Sequence, residues 1–267
     1  MIYILKRVLD ELCSFTFVHH FLAFGYFSFN NHRNVGRDAH DSNVDDSFRR
    51  ALTARNNLPS VTAVYRIKNA DEFIALSLQS IIPLASEIVV VDNGSVDETE
   101  AIVKKIQSNY IDVVNIKYFK YKQKIARAGN GYADEVKAYP ERSIADFYNF
   151  CFSKATSEYV VKVDAHCFYN LNRILDVQSY LRKNIDVLYF RGIEYLGKRL
   201  SVEPYLFKRK MNFKYVDDDN YEVLKFYDKN IVKTFLMSPT FIHLKRLVYT
   251  KGLVNGVTGL EAVYRDK

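Results

Sequence analysis

The most constraining feature of this sequence is a short apolar run that stops at an acidic residue and a tight turn. Residues 87–99 read Glu-Ile-Val-Val-Val-Asp-Asn-Gly-Ser-Val-Asp-Glu-Thr. The apolar run is typical of a strand buried on both faces, and Asn-Gly is typical of a turn. Ser95 or Asp97 is a suitable N-cap for a following helix. Ligands of open α/β sheets bind outside the carboxyl ends of strands, so Asp92 is predicted to hydrogen-bond a ribose or base.

A second strand is predicted at Tyr159–Val163, and it also ends at an acidic residue, in Asp164-Ala165-His166. Asp164 and His166 are two residues apart beyond the strand end, so both could point at one ion. Two strands that each end at a carboxylate predict a nucleotide site with a metal ion. This combination indicates an enzyme.

Strand and helix patterns alternate through the middle of the chain. Strands are predicted at 61–67, 87–91, 113–119 and 159–163, and helices at 71–82, 97–107 and 143–155. Such alternation predicts βαβ units, and therefore an α/β fold with a mainly parallel sheet and helices on both faces. Beyond it we expect a helix at 171–182, a strand at 186–193 and an irregular segment after about residue 198.

The net charge limits the kinds of partner that we expect for the protein, and the cysteine content indicates its cellular compartment. The 267-residue chain has a formal net charge of +7, which suits an anionic partner such as a nucleoside diphosphate, an anionic lipid or a nucleic acid. We find no basic helix or aromatic-interleaved basic strand, so no nucleic-acid partner is expected. Three cysteines without CxxC spacing are typical of reduced thiols in a cytoplasmic protein.

The first 59 residues are predicted to be an N-terminal extension that precedes one domain at 60–267. Residues 12–29 are aromatic and apolar, and their length is close to the roughly 20 residues that span a bilayer. His19 and His20 argue against a clean span. The segment is therefore either a membrane anchor or interfacial element in peripheral membrane contact, or an extra element of the domain. Residues 30–59 are polar with mixed charge and are interpreted as a linker.

Residues 61–168 resemble the nucleotide-binding half of family 2 glycosyltransferases, which have the GT-A fold, a Rossmann-like arrangement. The resemblance rests on the run 87–99 and on matching residues at the expected intervals: Asn69, Asp71, Asn149, Ala155, Glu158, Tyr159 and Asp164. It implies a nucleotide-binding half at 60–168 and an acceptor half at 169–267. The expected nucleotide-binding residues are Tyr65, Arg66, Asn69, Asp71, Asp92, Asn93, Gly94, Asn149 and Asp164.

Two positions depart from the family pattern. Tyr148 stands where the family often has an arginine before Asn149, and Asp164-Ala165-His166 replaces Asp-x-Asp. The Asp-x-His sequence also resembles the metal motif of polypeptide N-acetylgalactosaminyltransferases. We expect Asp164, His166 and a late histidine, His243, to bind the metal. A mixed oxygen and imidazole set suits Mn²⁺ better than Mg²⁺, which remains the alternative.

An inverting transferase also needs a general base to take the proton of the acceptor hydroxyl. The acidic segment 217–222 supplies the candidates, with Glu222 and Asp219 preferred. A solvated acidic loop is the competing interpretation. Stereochemistry stays open, because family 2 enzymes invert whereas the Asp-x-His family retains.

The sequence therefore predicts a metal-dependent glycosyltransferase of the hexosyl type. Its donor would be a nucleotide-diphosphate sugar, with a UDP-sugar favoured. Its acceptor would be a glycan, lipid or protein, in the synthesis of a surface polysaccharide or other surface glycan. The alternatives are an inactive GT-A domain that acts as a binding partner, and a sugar nucleotidyltransferase. The latter expects a Gly-rich loop after the first strand, and residues 64–69 contain no glycine.

Overall fold

The structure is a computed structural model that describes residues 42–194 and 199–245. Its helices are α1 (Ser42–Arg55), α2 (Ile74–Ile81), α3 (Thr99–Asn109), α4 (Tyr132–Ala138), α5 (Ile144–Ser153) and α6 (Leu171–Leu181). Its first six strands are β1 (Val61–Ile67), β2 (Glu87–Asp92), β3 (Asn115–Lys120), β4 (Tyr159–Val163), β5 (Cys167–Tyr169) and β6 (Val187–Phe190). The others are β7 (Gly192–Glu194), β8 (Glu203–Lys208), β9 (Phe213–Asp217), β10 (Glu222–Phe226), β11 (Lys233–Phe235) and β12 (Phe241–His243).

A seven-stranded sheet forms the centre, in the order β11-β6-β8-β4-β1-β2-β3. Strands β1 to β4 run parallel, β8 lies antiparallel between β4 and β6, and β11 is parallel to β6. Because β1, β2 and β4 are parallel, their carboxyl ends lie at one edge of the sheet. The predicted α/β class with a mainly parallel sheet is confirmed.

Both faces of the sheet are buried, which explains why β1 and β2 read as continuous apolar runs. Ala63, Tyr65 and Ile67 belong to a core cluster on one face, with residues of α2 and α6. Val64 belongs to a cluster on the other face, with residues of α5. Successive strand residues point to opposite faces, so each residue of β1 has a fixed side of the sheet.

The strongly patterned elements match the predictions closely. Strands β1 and β4 have the predicted bounds, and α5 begins where Ser143 caps it by accepting a hydrogen bond from the Asp146 amide. Helix α3 begins at Thr99 rather than at 97, because Asp97 instead accepts hydrogen bonds from the amides of Thr99 and Asp71. These contacts place Asp97 in the turn before the helix.

The later part of the chain is more ordered than the sequence predicted. The single strand expected at 186–193 is divided into β6 and β7, which pair in different sheets. The segment after 198, expected to be irregular, contains strands β8 to β12. These strands are short, and most of their pairing partners are distant in the chain, so local patterning gives little signal for them.

The linker expected at 30–59 is wrong for residues 42–55, which form helix α1. Phe48 and Leu52 of this helix pack against the core. Arg55 donates hydrogen bonds to the carbonyl oxygens of Ile82, Ala85 and Val113 at 2.8 Å each. The polar composition that suggested a linker belongs in part to the exposed face of a docked helix.

Residues 1–41, including the aromatic segment 12–29 with His19 and His20, lie outside the described residues. Among the helices that the structure describes, none combines the length and apolar character needed to cross a bilayer. The division into an extension at 1–59 and two halves at 60–168 and 169–267 stays a prediction.

A small three-stranded sheet, β5-β12-β7, lies beside the end of β4. Its register places His243 of β12 opposite Cys167 of β5 and opposite Glu194 of β7. Gly192 of β7 lies against the ring of Phe241, so closely that an added Cβ would meet that ring at 2.2 Å. The close approach seats β12, and with it His243, next to the end of β4.

Candidate active site

The acidic residue at the end of β2 is fully engaged by its own chain. One carboxylate oxygen of Asp92 accepts hydrogen bonds from the Ser95 amide at 2.8 Å and the Ser95 hydroxyl at 2.7 Å. The other accepts from the hydroxyl of Tyr118. Asp92 is 2% exposed. It holds the turn after β2, and its contact with a nucleotide stays a prediction.

The neighbouring predicted residues are also part of this turn. The Asn93 side-chain amide donates to the carbonyl oxygens of Tyr121 and Gln123, and Gly94 has the left-handed φ of 76° that an Asn-Gly turn uses. Asn69 accepts a hydrogen bond from the Val96 amide. The Asp71 amide donates to Asp97. Asn69 and Asp71 therefore join the end of β1 to the turn after β2, and Asn93 joins that turn to the segment after β3.

Tyr65 and Arg66 point to opposite faces of β1. Tyr65 is completely buried, and its hydroxyl lies 3.1 Å from that of Ser77. The expectation that Tyr65 contacts a nucleobase is therefore wrong, because the ring is enclosed in the core. Arg66 lies on the other face, beneath α5, where its guanidinium stacks over the ring of Tyr148 at 4.3 Å.

Asn149 is used to attach α5 to β9. Its amide nitrogen donates to the carbonyl oxygen of Tyr215, and its amide oxygen accepts from the Tyr215 amide, both at 2.9 Å. Because the side-chain amide is paired in both directions, Asn149 has a clear structural role in this conformation. Its contact with a nucleotide stays a prediction.

Asp164, at the end of β4, is half-exposed and paired with Arg66. Its carboxylate accepts a hydrogen bond from the Arg66 guanidinium, and 39% of its side chain is exposed. Burial raises the pKa of Asp164, but the positive charge of Arg66, with a smaller effect of Lys162, outweighs burial and holds the pKa well below its usual range. Asp164 is therefore a carboxylate at neutral pH.

The two predicted histidines lie together. The rings of His166 and His243 are 4.2 Å apart between centroids, and their donor atoms lie within 4.8 Å of each other and of the Cys167 sulfur. Burial, with a smaller effect of His243, lowers the pKa of His166 to about 4. The Nδ1 atom of His243 lies 3.1 Å from a carboxylate oxygen of Glu194, and such a contact directs the other ring nitrogen outward.

Cys167 was not predicted as a donor, and it joins this group because β5 pairs with β12. Burial raises the pKa of its thiol well above the usual range. A thiol with a raised pKa is a weak metal ligand. The group therefore consists of two partly buried imidazoles and a fully buried sulfur.

A cavity of about 600 Å³ brings the predicted groups together at this edge. Asp164, His243 and Glu222 all line it, although they come from β4, β12 and β10. The hydroxyl of Tyr148 hydrogen-bonds the Glu222 carboxylate, and burial raises the pKa of Glu222 above its ordinary value. A partly buried carboxylate with a raised pKa at a cavity wall is suited to accept a proton.

The other acidic candidates for the general base are not among the residues that line the cavity. Asp219 is exposed in the turn between β9 and β10 and is not among the residues that line the cavity. Asp217 accepts hydrogen bonds from the Tyr132 hydroxyl, the Ser143 hydroxyl and the Ala145 amide. The geometry thus favours Glu222 over Asp219.

Three further lining residues were missed from the sequence. Lys162 of β4 forms an ion pair with Glu203 of β8, and its ammonium lies 4.9 Å from the centre of the Tyr205 ring. All three line the cavity. One signal was available, since Lys162 is the single charged residue in the apolar run of β4.

Comparisons with known proteins bear on the fold and match one segment of the chain to a family model. Residues 63–138, less than a third of the chain, match the family model described as Glycosyl transferase family 2. Asn149, Asp164 and all later candidates lie beyond the matched segment. No curated protein matches the chain.

Solved structures show the same fold at low identity. The crystal structure of residues 1–349 of S. aureus TarS matches with a TM-score of 0.50 and 14% identity, over 70% of this chain and 61% of that one. The Mycobacterium tuberculosis glucosyl-3-phosphoglycerate synthase, in complex with Mn²⁺ and UDP-glucose, matches with a TM-score of 0.45 and 12% identity. That match covers 84% of this chain and 86% of that one.

The described chain therefore spans about three fifths of the TarS fragment that it matches. The likeness establishes the GT-A architecture, with the mainly parallel sheet and flanking helices described above. Within this architecture, residues 63–138 are the segment that matches the family model.

Proposed function

We propose that this protein transfers a hexosyl group from a nucleotide-diphosphate sugar to a hydroxyl of a glycan, lipid or protein acceptor, with Glu222 as the general base. The observation that carries this proposal is the cavity in which Glu222, Asp164 and His243 converge from three distant segments. Glu222 faces the cavity with a raised pKa. Its carboxylate would accept the acceptor proton as the hydroxyl oxygen attacks the sugar.

Asp164, His166 and His243 would hold the metal ion. Two imidazoles and a carboxylate fit Mn²⁺ better than Mg²⁺, which prefers an octahedron of oxygens. The low pKa of His166 keeps its imidazole neutral, as a ligand must be. When bound, the ion would offset the charge that grows on the leaving diphosphate.

The charged groups around the cavity bear on how an anionic donor would bind. Lys162 lines the wall together with the carboxylates Asp164, Glu203 and Glu222. The bound metal ion would therefore supply the positive charge that attracts an anionic ligand such as a nucleoside diphosphate. UDP is the first nucleotide to test, and synthesis of a surface polysaccharide or another surface glycan is the proposed setting.

An inactive GT-A domain is the second candidate, and the ion pair between Asp164 and Arg66 favours it. A carboxylate that is already neutralised by a buried guanidinium is a poorer metal ligand than a free one. A domain of this kind would bind its partner through the same cavity without turnover.

A thermal-shift titration tests the proposal. The protein is titrated with UDP, GDP, CDP and dTDP, each with and without Mn²⁺. We expect one nucleotide to raise Tm only with the metal, because a ligand that binds the native state alone stabilises it. No shift with any nucleotide would favour the inactive domain.

One histidine variant and a matched pair of cysteine variants test where the metal ion binds. Cys167 and Cys151 are both free and buried, but only Cys167 adjoins the two histidines. His166→Ala should remove the Mn²⁺-dependent shift. Cys167→Ala should change it slightly, and Cys151→Ala should leave it unchanged. Equal shifts in His166→Ala and in the wild type would reject the metal assignment.

A further inference from the structure

A second depression lies next to the candidate active site, on the far part of β10. This aromatic groove has a volume of about 590 Å³. Its wall includes Tyr189, Leu224, Phe226, Tyr227, Asp228 and Asn230. None of these residues was singled out from the sequence, and the transfer step described above uses none of them.

The groove continues from the active-site cavity. Leu224 of β10 lines both depressions. Tyr189, in the groove, is the cross-strand partner of Pro204, in the cavity wall. Directly paired residues lie on the same face of a sheet, so the two depressions share a face. Phe226 is four residues along β10 from Glu222, roughly 13 Å at the usual rise of a strand.

The aromatic side chains of this region are unusually exposed. Tyr227 is 53% exposed and Phe235 is 39% exposed. Phe235 stacks on Tyr189, with ring centroids 4.9 Å apart and an angle of 25° between the rings. Such rings present flat apolar surfaces at the edge of the groove, where burial against a ligand is favourable.

Polar groups alternate with these rings. Lys225, Asp228, Asn230 and Lys233 line the same groove. A pyranose has an apolar face of C–H groups and a rim of hydroxyls that donate and accept hydrogen bonds. Flat rings flanked by carboxylate, amide and ammonium groups match that pattern. A protein surface would instead favour a continuous apolar patch with charges at its rim.

We propose that the aromatic groove is a subsite for an oligosaccharide acceptor, several sugar units from the end that reacts beside Glu222. This inference rests on the proposed function. It makes that function more specific, because it selects a glycan chain over a lipid or a small hydroxyl compound as the acceptor. The groove holds the chain, and the continuous face leads its end into the cavity.

Binding of defined hexasaccharides to the full chain tests this proposal. Cellohexaose, maltohexaose, xylohexaose and chitohexaose are titrated by calorimetry, together with the corresponding monosaccharides. We expect one hexasaccharide to bind and its monosaccharide to bind far more weakly. Tyr227→Ala should weaken binding by about tenfold, the effect of losing one stacked ring.

Tyr139→Ala is the matched control, because Tyr139 is 48% exposed and lies outside the groove. It should bind the hexasaccharide as the wild type does. Tyr189→Ala gives a second groove variant if Tyr227→Ala folds poorly, because Tyr189 lines the groove. If no hexasaccharide binds, or if both groove variants bind normally, the subsite is rejected.

Two readouts separate this proposal from the others. The thermal shift with UDP and Mn²⁺ should be the same in the wild type and in Tyr227→Ala. If the wild type shows no such shift, the result counts against the proposed transferase function and not against the groove. Sedimentation of the wild type shows whether the groove is instead a contact between two copies. A dimer that Tyr227→Ala dissociates would overturn the glycan assignment.

Discussion

The ends of β2 and β4 look alike in sequence, since each is an apolar strand followed by an aspartate, but their chemistry differs. Asp92 is 2% exposed and accepts hydrogen bonds from Ser95 and Tyr118. Asp164 is half-exposed, pairs with Arg66 and faces a cavity. An aspartate after a strand becomes part of the turn when donors follow it closely. It becomes part of a site when distant segments surround it.

The largest effect is expected at the cavity, from Glu222→Gln. Transfer should fall by about a hundredfold to ten-thousandfold, the usual contribution of a general base. The shift with nucleotide and Mn²⁺ should persist, because the amide keeps the shape of the side chain. Asp219→Asn, in the adjacent exposed turn, is the control and should keep full activity. Steady-state transfer assays measure both variants.

The pH profile gives an independent test of the same residue. Burial raises the pKa of Glu222, and a base works only when deprotonated. Activity should therefore decline toward low pH, beginning at a higher pH than an ordinary glutamate would give. The acidic limb of kcat/KM should disappear in the residual activity of Glu222→Gln. An unchanged limb would assign it to another group.

Asp164→Asn should lower transfer by about a hundredfold, because a ligand of the ion and of the charged cluster is lost. We expect the free energy of unfolding to fall by only about 1–2 kcal/mol, because the asparagine oxygen can still accept a hydrogen bond from Arg66. Activity assays and urea denaturation of the same preparation measure the two effects. A variant that is fully active would place the metal elsewhere.

Asp92→Ala should reduce the stability of the protein more than its activity. Three donors lose their acceptor in a buried turn, which predicts a loss of about 2–4 kcal/mol in the free energy of unfolding. At a temperature where the variant stays folded, its turnover should fall less than that of Asp164→Asn. A large loss of activity without a loss of stability would show that Asp92 contacts the nucleotide and would break the comparison.

The smallest effect on transfer is expected from Arg55→Met, because Arg55 is not among the residues that line the cavity. This change removes three hydrogen bonds from α1 to backbone carbonyls and should cost about 1–3 kcal/mol. Transfer should be unchanged. Arg49→Met, on the exposed part of the same helix, is the matched control. Equal stability of the two variants would mean that α1 is only loosely attached.

The segment 60–168 was largely predictable because its signals are local. Strand β1, strand β4 and the Ser143 cap of α5 each follow from residues within one element. Helix α1 was missed because its sequence is largely polar and of mixed charge. The region after residue 198 was missed because its short strands depend on distant partners for their pairing.

The sequence singled out candidate residues for the site but not the contacts between them. Asp164, His166, His243 and Glu222 were all predicted, and all but His166 line one cavity. The ion pair from Arg66 and the nearby sulfur of Cys167 depend on registers that a single sequence does not reveal. Tyr65 was misassigned because alternation along β1 turns it into the core.

Gly192 has no functional group, yet its small size determines the position of His243, a proposed ligand of the metal ion. The ring of Phe241 occupies the space that a Cβ at 192 would need, and Phe241 is itself 2% exposed, so it cannot turn away. Adding one methyl group would push β12 outward and carry His243 with it, two residues along the strand. We therefore expect natural variation at position 192 to be restricted as tightly as at His243. A mutational screen limited to chemically reactive side chains would overlook Gly192.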